Sequence, residues 1–349
     1  MLLMSDAAAA VPIFDGHNDI LSRLHRAGGP NAIAGFLAGG AGGHVDLPRA
    51  RRGGFAGGLF ACYVPSAPFD RTKEAAPPVE RAAALDLTLA LAALLLRLEA
   101  ASAAGVTLCR SVADIRAAMA SGRLAAVLHV EGAEAIGPDL DALEVLHAAG
   151  LRTLGPTWSR DNIFGAGVPF RFPSSPDIGP GLTDVGKALV RRCDRLGVLV
   201  DCSHLTEQGF WDVAATSTKP LVASHSNAHA LCQQSRNLTD LQLAAIRERA
   251  GLVGVNFGAS FLSPEGRKDL DLSLDIVVAQ IEYLAEKVGV DGVALGSDYD
   301  GASVPTLLAD VANLQIIPSA LAARGWPAAD IAKLCHGNWL RVLDATWAA

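Results

Sequence analysis

Two hydrophobic rhythms alternate along the chain. Short, nearly continuous apolar runs stand at residues 12–19 (PIFDGHND), 57–64 (GGLFACYV), 125–132 (AAVLHVEG) and 151–158 (LRTLGPTW). Four more follow at 197–204 (GVLVDCSH), 220–226 (PLVASHS), 251–258 (GLVGVNFG) and 292–300 (GVALGSDYD). Such runs are too continuous for the one-sided alternation of an antiparallel sheet facing water, and they read as strands buried on both faces. Helical patterns separate them, at 80–104 with 111–120, then 139–149, 184–196, 206–216, 238–250 and 273–289, with a closing helix around 328–345. Strand then helix, eight times over, predicts an α/β protein folded as a parallel (β/α)8 barrel of the TIM type. A doubly wound open sheet would carry a glycine fingerprint after its first strand, and FDGHND is not one.

A single barrel domain over 1–349 accommodates this length. Three insertions interrupt the rhythm: a glycine-rich one near 26–56, a proline-rich one near 65–79, and 159–183, rich in Pro, Gly and Phe. The second and third follow strands, which puts them on the C-terminal face, where barrels keep their active sites and their lids. The first lacks the Lys-Ser/Thr of a phosphate-binding P-loop and reads as a flexible connection. The formal charge of −7 and the absence of a basic patch beyond RARR at 49–52 argue against a nucleic-acid partner. The N-terminal stretch MLLMSDAAAAVP is a poor signal peptide, and LTLALAALLLRL at 87–98 is too short to span a membrane. Six cysteines without CxxC spacing read as reduced thiols. The expectation is a cytoplasmic protein with no membrane partner.

The candidate chemistry lies where the apolar runs stop. The first ends with His17 and Asp19, the third with Glu131, the fifth with His204, the sixth with His225 and the eighth with Asp298. A buried His, Asp or Glu is costly unless it is paired or ligates a metal. In a barrel these strand ends converge on one cavity, so the pattern points to a metal-dependent hydrolase. Imidazoles with carboxylates favour zinc, or a relative such as manganese or iron. One catalytic zinc takes about three protein ligands, so His17, Asp19, Glu131, His204 and His225 are enough for two ions sharing Glu131. In period-two alternation Asp15 shares a face with His17 and Asp19, and is placed behind the site together with Asp201. His129 reads as a barrel-interior residue, Asp300 as a loop anchor, and His25, His44, His147, His229 and His336 as structural.

Taken together, DGHND, HVDLPRARRGG, VEGAEAI, GLTDVGKALVRRCDRLGVLVDCSH, PLVASHSNAHAL, SRNLTD, GLVGVNF, GVALGSDYDG and GNWLRVL resemble the membrane (renal) dipeptidase family of amidohydrolase-like metal barrels. The resemblance runs nearly end to end and implies a dipeptidase with two zinc ions. It implies His17 and Asp19 on one ion, His204 and His225 on the other, and Glu131 bridging them. It further implies Asp298 as the catalytic acid/base and Arg236 as the holder of the substrate's C-terminal carboxylate, which a planar guanidinium suits. The family tolerates a D-residue at that C-terminal position, and homodimers are common in it. Two positions depart from the pattern. Trp158 stands where the family has a histidine that helps bind the scissile carbonyl, leaving the metal alone, Arg160 or Asn162 to take over. Phe261 stands where the family has a tyrosine. Two alternatives remain open: a lactonase, deaminase or cyclic amidase on the same barrel, for which Arg236 would be dispensable, and a non-catalytic metal-binding relative.

Overall fold

In the computed structural model, residues 10–40, 42–70 and 76–347 are described, so the N-terminal leader reading falls largely outside them. Strands form at all eight apolar runs: β1 (Ile13–Asn18), β2 (Phe55–Tyr63), β4 (Leu124–Glu131), β5 (Leu151–Gly155), β6 (Leu199–Val200), β7 (Val222–Ala223), β8 (Leu252–Val255) and β9 (Val293–Leu295). A further strand, β3 (Val106–Leu108), lies between the two helices expected over 80–120 and pairs with β4 off the main path. Every pairing is parallel. One curled half-barrel sheet runs β1-β2-β4-β5-β6, and a second runs β7-β8-β9. Single parallel bridges stand at both seams, Asp201 with Val222 and Asn18 with Tyr299.

The two sheets share a core. One cluster of buried side chains draws Phe14, Leu59, Val127, Leu199, Val222, Leu252 and Ala294 from seven different strands. Trp339, Leu340 and Leu343 of the closing helix Asn338–Trp347 complete it, and the Trp339 indole donates to the Leu295 carbonyl at 2.9 Å. This apolar layer fills one end of the strands and leaves their C-terminal ends to the polar residues. A second, larger cluster lies between strands and helices. The closing helix expected over 328–345 is broken: Ala328–Ala332 leads into a π-turn, Lys333–Gly337, before Asn338–Trp347. The glycine-rich insertion is more ordered than a flexible connection, holding the helices Ala32–Ala38 and Leu47–Gly53. Arg49 within RARR pairs through its Nε with the Asp46 carboxylate at 2.7 Å at that helix's start. Among the described residues no helix is long and apolar enough to cross a membrane, and all six cysteines are buried and unpaired.

Close backbone approach carries the strand ends together. A Cβ on Gly254 would overlap the Ser224 carbonyl oxygen, and the same oxygen blocks a side chain at Gly16 and Gly296. Four strand ends thus close around one peptide group just below the site. Gly254→Ala is expected to destabilise the protein by about 3 kcal/mol, because overpacking against rigid backbone cannot be relieved by a rotamer change. Thermal and denaturant unfolding would measure it, and an unchanged midpoint would contradict the reading.

Candidate metal centre

His17, Asp19, Glu131, His204, His225 and Asp298 do converge. Glu131 ends β4 and faces two ways. Its Oε2 lies 3.6 Å from His17 Nε2, while its Oε1 lies 2.9 Å from His204 Nε2 and 3.5 Å from His225 Nε2. His17 Nε2 is 3.4 Å from Asp19 Oδ2, and the His204 and His225 Nε2 atoms are 3.1 Å apart. The His17 and His225 rings stack with centroids 3.9 Å apart. Donor atoms of His17, Glu131 and His225 lie within metal-binding reach of one another, as do those of His17, Asp19 and Asp298. All are buried except Asp298, which is partly exposed.

Register shifts between Asp15 and Asn18 break the strand alternation, as a bulge does when it re-aims a side chain. His17 and Asp19 therefore meet at the mouth, while Asp15 turns to β9 and accepts from Ser297 N at 2.6 Å and Ser297 Oγ at 2.9 Å. Asp15 latches the first strand to the last instead of touching His17.

This donor set has the unsatisfied atoms that a cation would take. His17 Nδ1 and Nε2 and Asp19 Oδ1 are buried with no hydrogen-bond partner. Burial pushes the Glu131 carboxyl up to about 8, against the pull of His17. Burial opposes a charge on His17, yet the Glu131, Asp19 and Asp298 carboxylates outweigh it and lift the imidazole to about 10. Three carboxylates crowded around a fully buried imidazole fit a site built for positive charge. His225 behaves oppositely: burial, with His17 and Arg236 close by, holds it well below the usual histidine range and so neutral, the state a metal ligand requires.

Asp298 sits beyond β9 in the left-handed region at φ 60°, followed by Asp300 at φ 66°. Two non-glycine residues there mark a strained loop. Its supports are visible: Asp298 N donates to the His17 carbonyl at 3.0 Å, and Asn256 Nδ2 donates to Asp298 Oδ2 at 3.0 Å. Asp300 anchors the loop, accepting from Arg23 Nε and His44 N, each at 2.7 Å. Gly301 is obligatory, since a side chain there would run into the Asp19 and Asp298 carboxylates. Asn256 carries no strand-end charge, and only its place in GVNFG at the end of β8 could have flagged it.

The cluster opens into a cavity of about 930 Å³. Asp19, Glu131, His204 and Asp298 line its floor, and Tyr63, Phe69, Trp158, Phe170 and Phe261 its wall. Both the 65–79 and 159–183 insertions contribute, as expected of loops on this face. Trp158 packs beside His204, with centroids 5.8 Å apart, and against Tyr63 and Phe170. Neither substitute donor for the scissile carbonyl is available. Arg160 is buried and reaches Glu134 Oε1, Ser66 Oγ and the Val64 carbonyl, tying three loops together. Asn162 donates to the Pro156 carbonyl and accepts from Phe164 N. Arg236 is also absent from the residues lining the cavity. Its Nη1 donates to the Ser203 carbonyl and its Nη2 to the His225 carbonyl, which leaves Nε without a partner.

The whole chain, residues 4–349, matches the family model described as "Membrane dipeptidase (Peptidase family M19)". The chain belongs to the membrane dipeptidase family. It is 48% identical to a solved metallo peptidase described as "dipeptidase AC", with a TM-score of 0.94 over 97% of this chain and 100% of that one. A metallo peptidase from Rhodobacter sphaeroides, solved with a phosphinate mimic of the dipeptide L-Ala-D-Ala, is 47% identical with a TM-score of 0.93, over 97% of this chain and 100% of that one. An "Uncharacterized protein in pqqA 5'region" of Klebsiella pneumoniae is 47% identical over 75% of this chain and 97% of its own length. As a membrane dipeptidase family member, the chain is a metal-dependent peptide-bond hydrolase, and the strand-end cluster offers donors of the right type.

Proposed function

We propose that this protein is a two-zinc dipeptidase that accepts a D-residue at the C-terminal position of its substrate. The observation that carries the reading is Glu131, whose Oε2 faces His17 and whose Oε1 faces His204 and His225. His17 and Asp19 would hold one ion and His204 and His225 the other, with Glu131 shared. Bound there, the ions supply Lewis acidity and acidify water to near neutrality. Asp298 takes the proton of the attacking water on its carboxylate and delivers it to the departing amine, while Asn256 keeps Oδ2 aimed. Arg236 holds the substrate carboxylate, for which its partnerless Nε is the available donor. Trp158 packs against the substrate and keeps water from the His204 side.

The reading extends to the fold and domain plan: the eight strands form one closed barrel over the whole chain. Its support is the parallel bridge at each seam and the apolar layer drawn from both sheets. Tolerance of a D-residue is supported by the L-Ala-D-Ala mimic held by the Rhodobacter relative.

The test is a kinetic panel on zinc-loaded protein with L,L- and L,D-dipeptides, tripeptides, lactones and cyclic amides. Turnover of L-Ala-D-Ala together with rejection of tripeptides is expected. Robust turnover of lactones or cyclic amides with none of any dipeptide would sink the proposal.

A further inference from the structure

Three imidazoles meet at the centre, but their outer nitrogens are held differently. His17 Nδ1 has no partner. His204 Nδ1 lies 2.8 Å from Ser159 Oγ. His225 Nδ1 begins a chain: it lies 2.7 Å from Ser224 Oγ, which donates to Asp201 Oδ2. Asp201 is buried, and its Oδ1 accepts from Ser224 N at 2.8 Å, Ser203 N at 3.1 Å and Ser203 Oγ at 2.6 Å.

From this geometry we infer that Asp201 and Ser224 are positioning residues that fix the tautomer of His225. The inference rests on the metal-ligand reading of His225 given above. A serine hydroxyl has one proton, and a carboxylate only accepts. Ser224 gives its proton to Asp201 and so turns a lone pair toward His225. Nδ1 must then carry the imidazole proton, and Nε2 presents its lone pair toward Glu131 and His204. Ser203 reinforces the arrangement: its hydroxyl also donates to Asp201 and accepts from His225 N at 3.1 Å. Both hydroxyls donate to the same carboxylate, a stronger acceptor than the neutral alternative between their own oxygens, 3.2 Å apart.

Asp201→Asn tests the direction of this chain at almost constant shape. Two backbone N–H groups claim the Oδ1 position, so the amide oxygen stays there and Nδ2 falls opposite Ser224 Oγ. The hydroxyl must then accept from Nδ2 and donate to His225 Nδ1, and the imidazole proton moves to Nε2 with no net gain or loss of protons. Zinc affinity at one of the two positions, read by chelator competition and elemental analysis, is expected to fall about a hundredfold in Asp201→Asn and about tenfold in Ser224→Ala. The double variant, having no hydroxyl to reverse, returns to the Ser224→Ala level. Histidine nitrogen shifts in metal-free wild-type protein are expected to report Nδ1–H at His225, a readout that does not depend on the variants folding. A wild type with Nε2–H, an Asp201→Asn protein of unchanged affinity, or a double variant no better than Asp201→Asn would each overturn the inference. A wild type that binds no zinc at all would instead overturn the metal reading on which it rests.

Discussion

Glu131→Gln is expected to strip the centre of metal and lower kcat/KM by at least about a thousandfold, beyond the ten- to hundredfold typical of groups that only orient a ligand. The two carboxylate oxygens serve different neighbours, Oε2 facing His17 and Oε1 facing His204 and His225. An amide keeps one acceptor oxygen and must turn its NH2 group toward one of those two sides. Whichever side it faces meets N–H hydrogens where it needs a negative oxygen, so one half of the centre loses its shared ligand. Elemental analysis of the purified variant, alongside dipeptide kinetics with added zinc, would measure both effects. Two retained metal equivalents with near wild-type turnover would show that Glu131 does not join the two halves.

Asp298→Asn should behave differently. A positioned proton carrier contributes about a hundred- to ten-thousandfold, so kcat is expected to fall by that factor while KM changes little. The amide can still accept a hydrogen bond from Asn256 or donate one, but it cannot take a proton from water and hand it on. Burial raises the Asp298 carboxyl, while His17 lowers it and Asp19 raises it further. Because its donor atoms also lie within reach of those of His17 and Asp19, metal content must be read with the rate. A slow variant with full metal supports the proton-transfer role. A variant that has lost one metal equivalent would make Asp298 a ligand first.

The strand ends were legible because an apolar run that stops on His, Asp or Glu is rare unless something compensates the charge, and five of eight runs did so. The helices between the strands were legible from their period, while those of the glycine-rich insertion and Ile316–Ala323 were not. What periodicity could not reveal is geometry with no hydrophobic signature. β3 is three residues long and lies between two helical patterns. The π-turn at Lys333–Gly337 keeps an apolar rhythm through a break in the hydrogen bonding. β6 and β7 shrink to two residues each because polar side chains take over the contacts beyond Val200 and Ala223. Side-chain direction was hidden as well. Arg160 read as a candidate donor to the scissile carbonyl, and its guanidinium instead reaches Glu134, Ser66 and the Val64 carbonyl. The hydroxyls of Ser159, Ser203 and Ser224 looked ordinary, although each stands beside a histidine of the centre in space or in sequence.

The latch between Asp15 and Ser297 joins residues 282 positions apart in the chain. During synthesis His17 and Asp19 leave the ribosome before Asp298, and roughly 15–55 s of elongation separate them at common rates. Over that interval the nascent chain holds only part of its ligand set. The ligand set is complete only once Asp298 has been made, so a chain aborted before the final strand carries scattered histidines and carboxylates but no hydrolase.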